Sequence, residues 1–174
     1  ATGFQEYDPA ELKEYGYGRF KDVLTAMEFE RLVCASGPTG GHLNRPSDGK
    51  LAHRVAFVQC VGSRSHKKGY PYCSSVCCMY ATKEAVLIKE HDPTSEVNVF
   101  YMDLKVFGKG FQQFVDRAKS HYGVKYVRGR PGEIRMNPLT KDLTIWYEDT
   151  NTGDVSSTEA DLVVLCTTMI ARPE

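Results

Sequence analysis

The sequence predicts an α/β domain: a small parallel sheet with right-handed helical crossovers, followed by a β-meander. Three observations predict it. Short apolar runs alternate with amphipathic stretches between residues 54 and 127. Polar, Gly- and Pro-containing turns separate them. Closely spaced strand patterns with no helix between them then run from 133 to 166. Alternation implies parallel pairing, because a parallel neighbour is reached only through a crossover. The order βαβαβ, meander, β is Rossmann-like.

Each element has its own warrant. Thr25 reads as a helix N-cap and Glu28 completes a capping box, with Ala26, Met27, Phe29, Leu32 and Val33 as the apolar stripe. GYGRF (16–20) and ASGPTGGHLNRPSDGK (35–50) are loops, the second dense enough in Gly, Pro, Ser and Asn to act as a linker. RVAFVQCV (54–61) is a buried strand. The polar loop GSRSHKKGYPY leads to a helix from about Ser74 to Glu90. A strand at 96–102, a helix at 110–122 with Phe111, Phe114, Val115 and Ala118 on one face, and a strand at 124–127 follow. Gly123 sits where a C-cap belongs. Strands at 133–136 and 143–147 flank the turn NPLTKD, and a last strand runs from 161 to 166.

Bulk properties exclude several classes. The 174 residues suffice for one domain with a core. Twenty-two basic and 22 acidic residues balance, so there is no footprint for nucleic acid or an anionic membrane surface. No apolar run approaches the roughly 20 residues of a transmembrane helix. No basic region with an apolar stretch opens the chain, and the expected location is the cytoplasm. Ala1-Thr2-Gly3 and the strand ending at Cys166 read as edges of a larger protein.

A dinucleotide site would place G-x-G-x-x-G in the turn after the first strand. Here that turn is Gln59-Cys60-Val61-Gly62-Ser63-Arg64, and a cysteine stands at the position. Cys60, Cys73, Cys77 and Cys78 follow the spacing C-x12-C-x3-C-C. In a strand–loop–helix unit the strand's C-terminal end faces the helix N-terminus, so the four thiols converge. Cys73 and Cys77 stand one turn apart, and Cys78 is rotated by about 100° from Cys77. Adjacent ligands suit a broad object better than a single ion. That favours a [4Fe–4S] cluster, which takes four thiolates, at a helix end that stabilises negative charge. Zinc, a redox-active thiol pair and apolar buried cysteines remain open alternatives. Cys34 and Cys166 read as core residues.

The stretches GYGRFKDVLTAMEFERL, CASGPTGGHLNRPSDGK, RVAFVQCVGSR, GYPYCSSVCCMYATKEAVLIKEH and VFYMDLKVFGKGFQQF closely resemble the heterodisulfide reductase A-type family, over nearly the whole chain. Members are larger flavoproteins similar to thioredoxin reductase. The resemblance implies a thioredoxin reductase NAD-domain-like fold inserted in a FAD domain. It divides the chain into 1–50 (exit from the first half of the FAD domain, helix and linker), 51–168 (cluster-binding insertion) and 169–174 (return toward the second half). It implies FAD in the full-length protein and a [4Fe–4S] cluster on Cys60, Cys73, Cys77 and Cys78. Ala1, Thr2 and Gly3 resemble the ATG on the flavin side, and Lys83 and Glu30 are implied near the isoalloxazine.

The implied activity is that of an oxidoreductase: electron transfer, with flavin-based bifurcation between ferredoxin and a heterodisulfide in methanogenesis. The implied partners are other heterodisulfide reductase subunits, a hydrogenase- or dehydrogenase-type donor and ferredoxin, with a homodimer as one assembly. A thioredoxin reductase-type dithiol enzyme and a structural zinc domain are the alternatives. The isolated chain is expected to be inactive and to hold FAD poorly. Among other residues, His42, His53, His66, His91 and His121 are scattered, Arg64, Lys67 and Lys68 form a basic loop read as solvated, and FGKG (107–110) is a turn before a helix.

Overall fold

The structure, a computed structural model, describes residues 3–67 and 69–172. Ala1, Thr2, Lys68, Pro173 and Glu174 lie outside the described residues, and so do the expectations attached to them. In chain order the elements are β1 (Phe4–Glu6), two 3-10 turns (Pro9–Glu11 and Lys13–Tyr15), β2 (Val23–Thr25), α1 (Ala26–Val33), β3 (Arg54–Val61), α2 (Cys77–His91), β4 (Glu96–Tyr101), α3 (Phe111–Ser120), β5 (Lys125–Arg128), β6 (Pro131–Met136), β7 (Leu143–Glu148), β8 (Val155–Ala160), β9 (Leu162–Thr167) and β10 (Met169–Ala171).

Alternation along the strands sorts the core into two halves. The parallel sheet has the order β2-β9-β3-β4-β5. Val55, Phe57, Val97, Val99, Leu162, Val164 and Cys166 pack among the helices. Their neighbours Ala56, Val58, Phe100, Val163 and Leu165 pack against Ile134, Leu143 and Ile145 of the antiparallel sheet β6-β7-β8 and against Leu12 and Tyr15. Period-2 side-chain direction produces this division, and a strand buried on both faces needs apolar residues at every position. The molecule therefore has three layers: helices, parallel sheet, meander.

The capping box forms as the sequence predicts. Glu28 N donates to Thr25 Oγ1 at 3.4 Å, and Thr25 N donates to Glu28 Oε2 at 2.8 Å. Phe29 then meets Phe57 edge-on, ring centres 5.6 Å apart. Gly123 takes φ +70°, as a helix-terminating glycine does. Residues 23–25 form a strand that the sequence reading misses, and it pairs with β9, so residues 23–33 share the sheet and core of residue 54 onward. The meander gains a third strand, β8, and α2 opens at Cys77 instead of Ser74. Ser75, at φ +61°, prevents an earlier start.

The linker is fastened by one arginine. Arg45, 5% exposed, pairs with Asp48, with Asp142 Oδ1 at 3.0 Å and with the Thr140 carbonyl at 3.0 Å. No helix among the described residues is long and apolar enough to cross a membrane.

Candidate metal and flavin-facing site

The C-terminal edge of the parallel sheet is where crossover loops gather. β3 reaches it at Cys60, whose φ is +60°. The ladder to β9 shifts register between Val58 and Val61, so the strand bulges there. Arg64 and Ser75 also have positive φ, at 58° and 61°. Three of the four non-glycine residues with positive φ among the described residues thus lie between 60 and 75. Each such conformation costs on the order of 1–3 kcal/mol and persists only where the surroundings enforce it.

Here the surroundings do so. Arg64 N donates to the Tyr72 carbonyl (3.1 Å), Ser65 N to that of Tyr70 (3.0 Å), and Tyr70 N to that of Gly62 (2.8 Å). The loop is also tied to the turn between β9 and β10. Ser74 Oγ lies 2.8 Å from Thr168 Oγ1 and accepts from Met169 N at 2.8 Å, and Tyr72 Oη donates to the Met169 carbonyl at 3.0 Å. Gly69 is required by close approach: at φ +104°, a Cβ would sit 2.2 Å from the Gly62 carbonyl oxygen. Gly69→Ala is expected to cost about 1–3 kcal/mol. Hydrogen exchange should show faster exchange at Tyr70 and Ser65, with the amides of β4 unchanged.

The structure brings the four sequence-predicted cysteines to this edge. Cys77 and Cys78 are the first two residues of α2, and Cys73 lies in the loop before it rather than in the helix. Cys60, Cys77 and Cys78 are buried; Cys73 is half-buried. The Cys77 and Cys78 side chains diverge, as adjacent helical residues must. Cys77 Sγ donates to the Thr167 carbonyl (3.7 Å) and Cys78 Sγ to the Asp103 carbonyl (3.8 Å). Ser75 N donates to Cys73 Sγ at 3.4 Å and Lys105 N to Cys78 Sγ at 3.3 Å.

Each thiol lies in the others' fields: Cys60 with Cys78 and Cys73, and Cys77 with Cys60, Cys78 and Cys73. Burial first, then this mutual repulsion, raises the Cys60 thiol and pushes Cys77 up to about 11. All six cysteines are free thiols. Among the described residues, no three His, Cys, Asp or Glu side chains close round one ion.

Arg64 is not a solvated loop residue: its guanidinium bonds Asp103 at 2.9 Å and faces Cys60. Cys166 is fully buried, as expected. Cys34 corrects its expectation. It is exposed, 3.2 Å from Ser36 Oγ, because the chain leaves the core once α1 ends at Val33.

Lys83 and Glu30 come together. Lys83 Nζ donates to Glu30 Oε2 at 2.5 Å across α2 and α1, with both side chains half exposed. Gly3, at φ +70°, accepts from Arg172 N (2.9 Å) at the outer end of the β1–β10 ribbon.

Sequence reasoning missed a buried polar set around α2. Gln59 Oε1, Tyr80 Oη, Glu84 Oε2 and Thr167 Oγ1 are buried without a hydrogen bond of ordinary geometry. Such groups are costly and are rare in folded proteins. The available signal was a helical stripe, since Cys77, Tyr80 and Glu84 are spaced i, i+3, i+7. The scattered histidines lie elsewhere: His42, His53 and His91 line a separate cavity of about 830 Å³ with Leu43, Leu87 and Ile88.

No family model matches the chain. Curated relatives do. It is 51% identical over all of its 174 residues to the A-type iron-sulfur subunit of CoB--CoM heterodisulfide reductase from Methanocaldococcus jannaschii, covering 26% of that protein. Over its whole length the chain is similar to one segment of the heterodisulfide reductase A-type protein.

The same holds for the A-type subunit of the H(2):CoB-CoM heterodisulfide,ferredoxin reductase from Methanothermobacter thermautotrophicus, at 54% identity over 95% of the chain and 25% of the relative. A relative from Methanosarcina acetivorans, named for a ferredoxin/F(420)H(2)-dependent CoB-CoM heterodisulfide reductase, is 38% identical over 96% of the chain and 21% of its own length. The chain thus spans about a quarter of the length of the first two of these relatives. Among solved structures, T. acidophilum thioredoxin reductase matches with a TM-score of 0.52 at 16% identity, covering 97% of this chain and 43% of that one. Lactococcus lactis thioredoxin reductase matches with 0.50 at 14%, covering 90% and 39%. These two show the fold, a thioredoxin reductase-like α/β architecture.

Proposed function

We propose that this chain is the cluster-carrying, flavin-facing segment of a heterodisulfide reductase A-type flavoprotein. The observation that carries the reading is the gathering of Cys60, Cys73, Cys77 and Cys78 at the sheet edge, with the backbone at Cys60 held at φ +60° to turn its thiol there. Four converging thiols of mixed burial, two of them diverging from adjacent helical positions, fit a [4Fe–4S] cluster. When bound, the cluster supplies one-electron exchange and FAD supplies two-electron exchange.

The chain's own residues do the rest. Arg64 and the Lys105 amide offset negative charge at the thiolates. The Lys83 ammonium supplies the positive charge that favours a reduced anionic flavin, and Glu30 tempers it. Gly3, with Ala1 and Thr2, belongs to the flavin side. Under this reading residues 51–168 form the cluster-binding insertion between an exit segment, 1–50, and a return, 169–174. The whole protein would be a cytoplasmic oxidoreductase of methanogenesis. It would work with other heterodisulfide reductase subunits, a hydrogenase- or dehydrogenase-type donor and ferredoxin, and split electrons between ferredoxin and a heterodisulfide. The relatives' names support these partners.

The test is an anaerobic iron and acid-labile sulfide assay with EPR. About four irons and four sulfides per chain, with a reduced-cluster signal, are expected. Zinc, or no metal after reconstitution with iron and sulfide, would replace this reading with a structural-zinc or dithiol role.

A further inference from the structure

β4 ends at Tyr101, and residues 104–107 belong to no helix, strand or turn. No ladder therefore places their backbone. Yet the N–H of Lys105 is aimed: it donates to Cys78 Sγ at 3.3 Å, and the Asp103 carbonyl lies 3.8 Å from the same sulfur. The Ser75 amide meets Cys73 Sγ from two residues away, inside its own loop. Lys105 and Cys78 are 27 residues apart, so their contact needs an anchor.

The Asp103 side chain supplies one. Arg64 Nη2 donates to Asp103 Oδ2 at 2.9 Å, and Arg128 Nη2 lies 3.6 Å from Oδ1. Arg128 Nε also donates to the Met102 carbonyl at 3.3 Å. Arg64 belongs to the loop between Cys60 and Cys73, where its own amide bonds the Tyr72 carbonyl. Arg128 is the last residue of β5. One carboxylate thus ties the segment after β4 to the cysteine loop on one side and to the sheet on the other.

We propose that Asp103 is a positioning residue of the cysteine site: clamped by Arg64 and Arg128, it fixes residues 103–105 so that the Lys105 N–H meets the Cys78 sulfur, and that hydrogen bond raises the reduction potential of the group the cysteines hold. The proposal deepens the cluster-carrying reading and rests on it. A hydrogen bond to a ligand sulfur strengthens when the site gains an electron, because the acceptor then carries more negative charge. Asp103 acts through the Lys105 amide and not by its own charge. That charge alone works the other way, since a nearby carboxylate disfavours an added electron. It is also 44% exposed and paired with two arginines, so its direct effect is weak. Position and charge therefore predict opposite shifts.

The deciding experiment is a potentiometric EPR titration of the chain reconstituted anaerobically with iron and sulfide, with Asp103→Ala beside the wild type. The exposed side chain is no ligand, so Asp103→Ala should load iron normally. Its constant for one-electron reduction should fall about tenfold, a downward shift of about 59 mV. Lys105→Pro has no N–H and should shift down similarly relative to Lys105→Ala, which keeps the N–H and lacks only the side-chain charge. In the Lys105→Pro background, Asp103→Ala should lower the potential no further. In the iron-free chain, hydrogen exchange at Lys105 should be faster in Asp103→Ala, with the amides of β4 unchanged. An upward shift or none in Asp103→Ala overturns the proposal, and so does an undiminished fall in the Lys105→Pro background. Loss of iron from Asp103→Ala also overturns it, because the residue would then serve assembly. A wild-type chain that takes up no iron overturns the functional reading instead, and equal exchange at Lys105 in the two iron-free chains overturns the anchor itself.

Discussion

Asp161→Ala is expected to destabilise the chain by about 3 kcal/mol, lowering Tm by roughly 6–12 °C for a chain of this size. Asp161 is 7% exposed and lies between β8 and β9. Its Oδ2 accepts from the backbone N–H groups of His53 and Arg54, both at 2.8 Å. Its Oδ1 accepts from Arg54 Nε at 3.0 Å and Nη2 at 2.6 Å. Alanine leaves the two amides unpaired at the point where β3 enters the sheet, each costing about 1–3 kcal/mol.

Arg54 itself would not be stranded. It is 30% exposed and keeps Glu159 (2.5 Å) and Asp142 (3.1 Å). The loss should therefore fall on the sheet entrance more than on the charge network, and Asp161→Asn should recover part of it. Burial works against the Asp161 charge, but Arg54 and the two amides outweigh it and hold the carboxyl below its usual range. A depressed carboxyl stabilises above its unfolded pKa and stops doing so as pH falls through its folded value. The wild type should therefore approach the variant only in strong acid, which thermal melts from pH 7 to pH 2 would show.

The sheet's interior was legible because β3 and β9 are buried on both faces, and burial on both faces forces runs such as RVAFVQCV and LVVLCT. β8 was not legible, because VSSTEA is polar and its burial alternates at an edge. β1, β2 and β10 are three residues each, too short to show a period, and are defined by pairing with distant residues. At the site, spacing alone brought out Cys60, Cys73, Cys77 and Cys78. The positive φ at Cys60 was hidden, since nothing local in Gln59-Cys60-Val61 demands it. The demand comes from the loop that Gly62 and Gly69 allow. Lys83 and Glu30 came from the family resemblance, and their contact is a tertiary fact. Glu84 was invisible for a related reason: sequence gives its helical face but not how deeply that face is buried.

Single Cys→Ser substitutions in chains reconstituted with iron and sulfide should separate the six cysteines into two groups. Loss of any one of Cys60, Cys73, Cys77 or Cys78 leaves three thiolates where a cubane cluster takes four, so iron should fall well below four per chain and the reduced-cluster EPR signal should vanish. The burial of the lost thiol should grade the damage. Cys73 is half-buried in a loop, so its variant has room for water or an external thiol as fourth ligand and should retain the most iron. Cys77 is buried at the helix start and bonded to the Thr167 carbonyl, and its variant has no such access and should retain the least. Cys60→Ser keeps the strained backbone but replaces a soft ligand with a hard one, so it should fold and still fail to load. Cys34→Ser, on the exposed loop after α1, should load iron as the wild type does. Cys166→Ser, at a fully buried position outside the set of four, should also keep its iron. Retention of full iron by Cys60→Ser, or loss of iron in Cys34→Ser, would mean that a different set of thiols holds the metal.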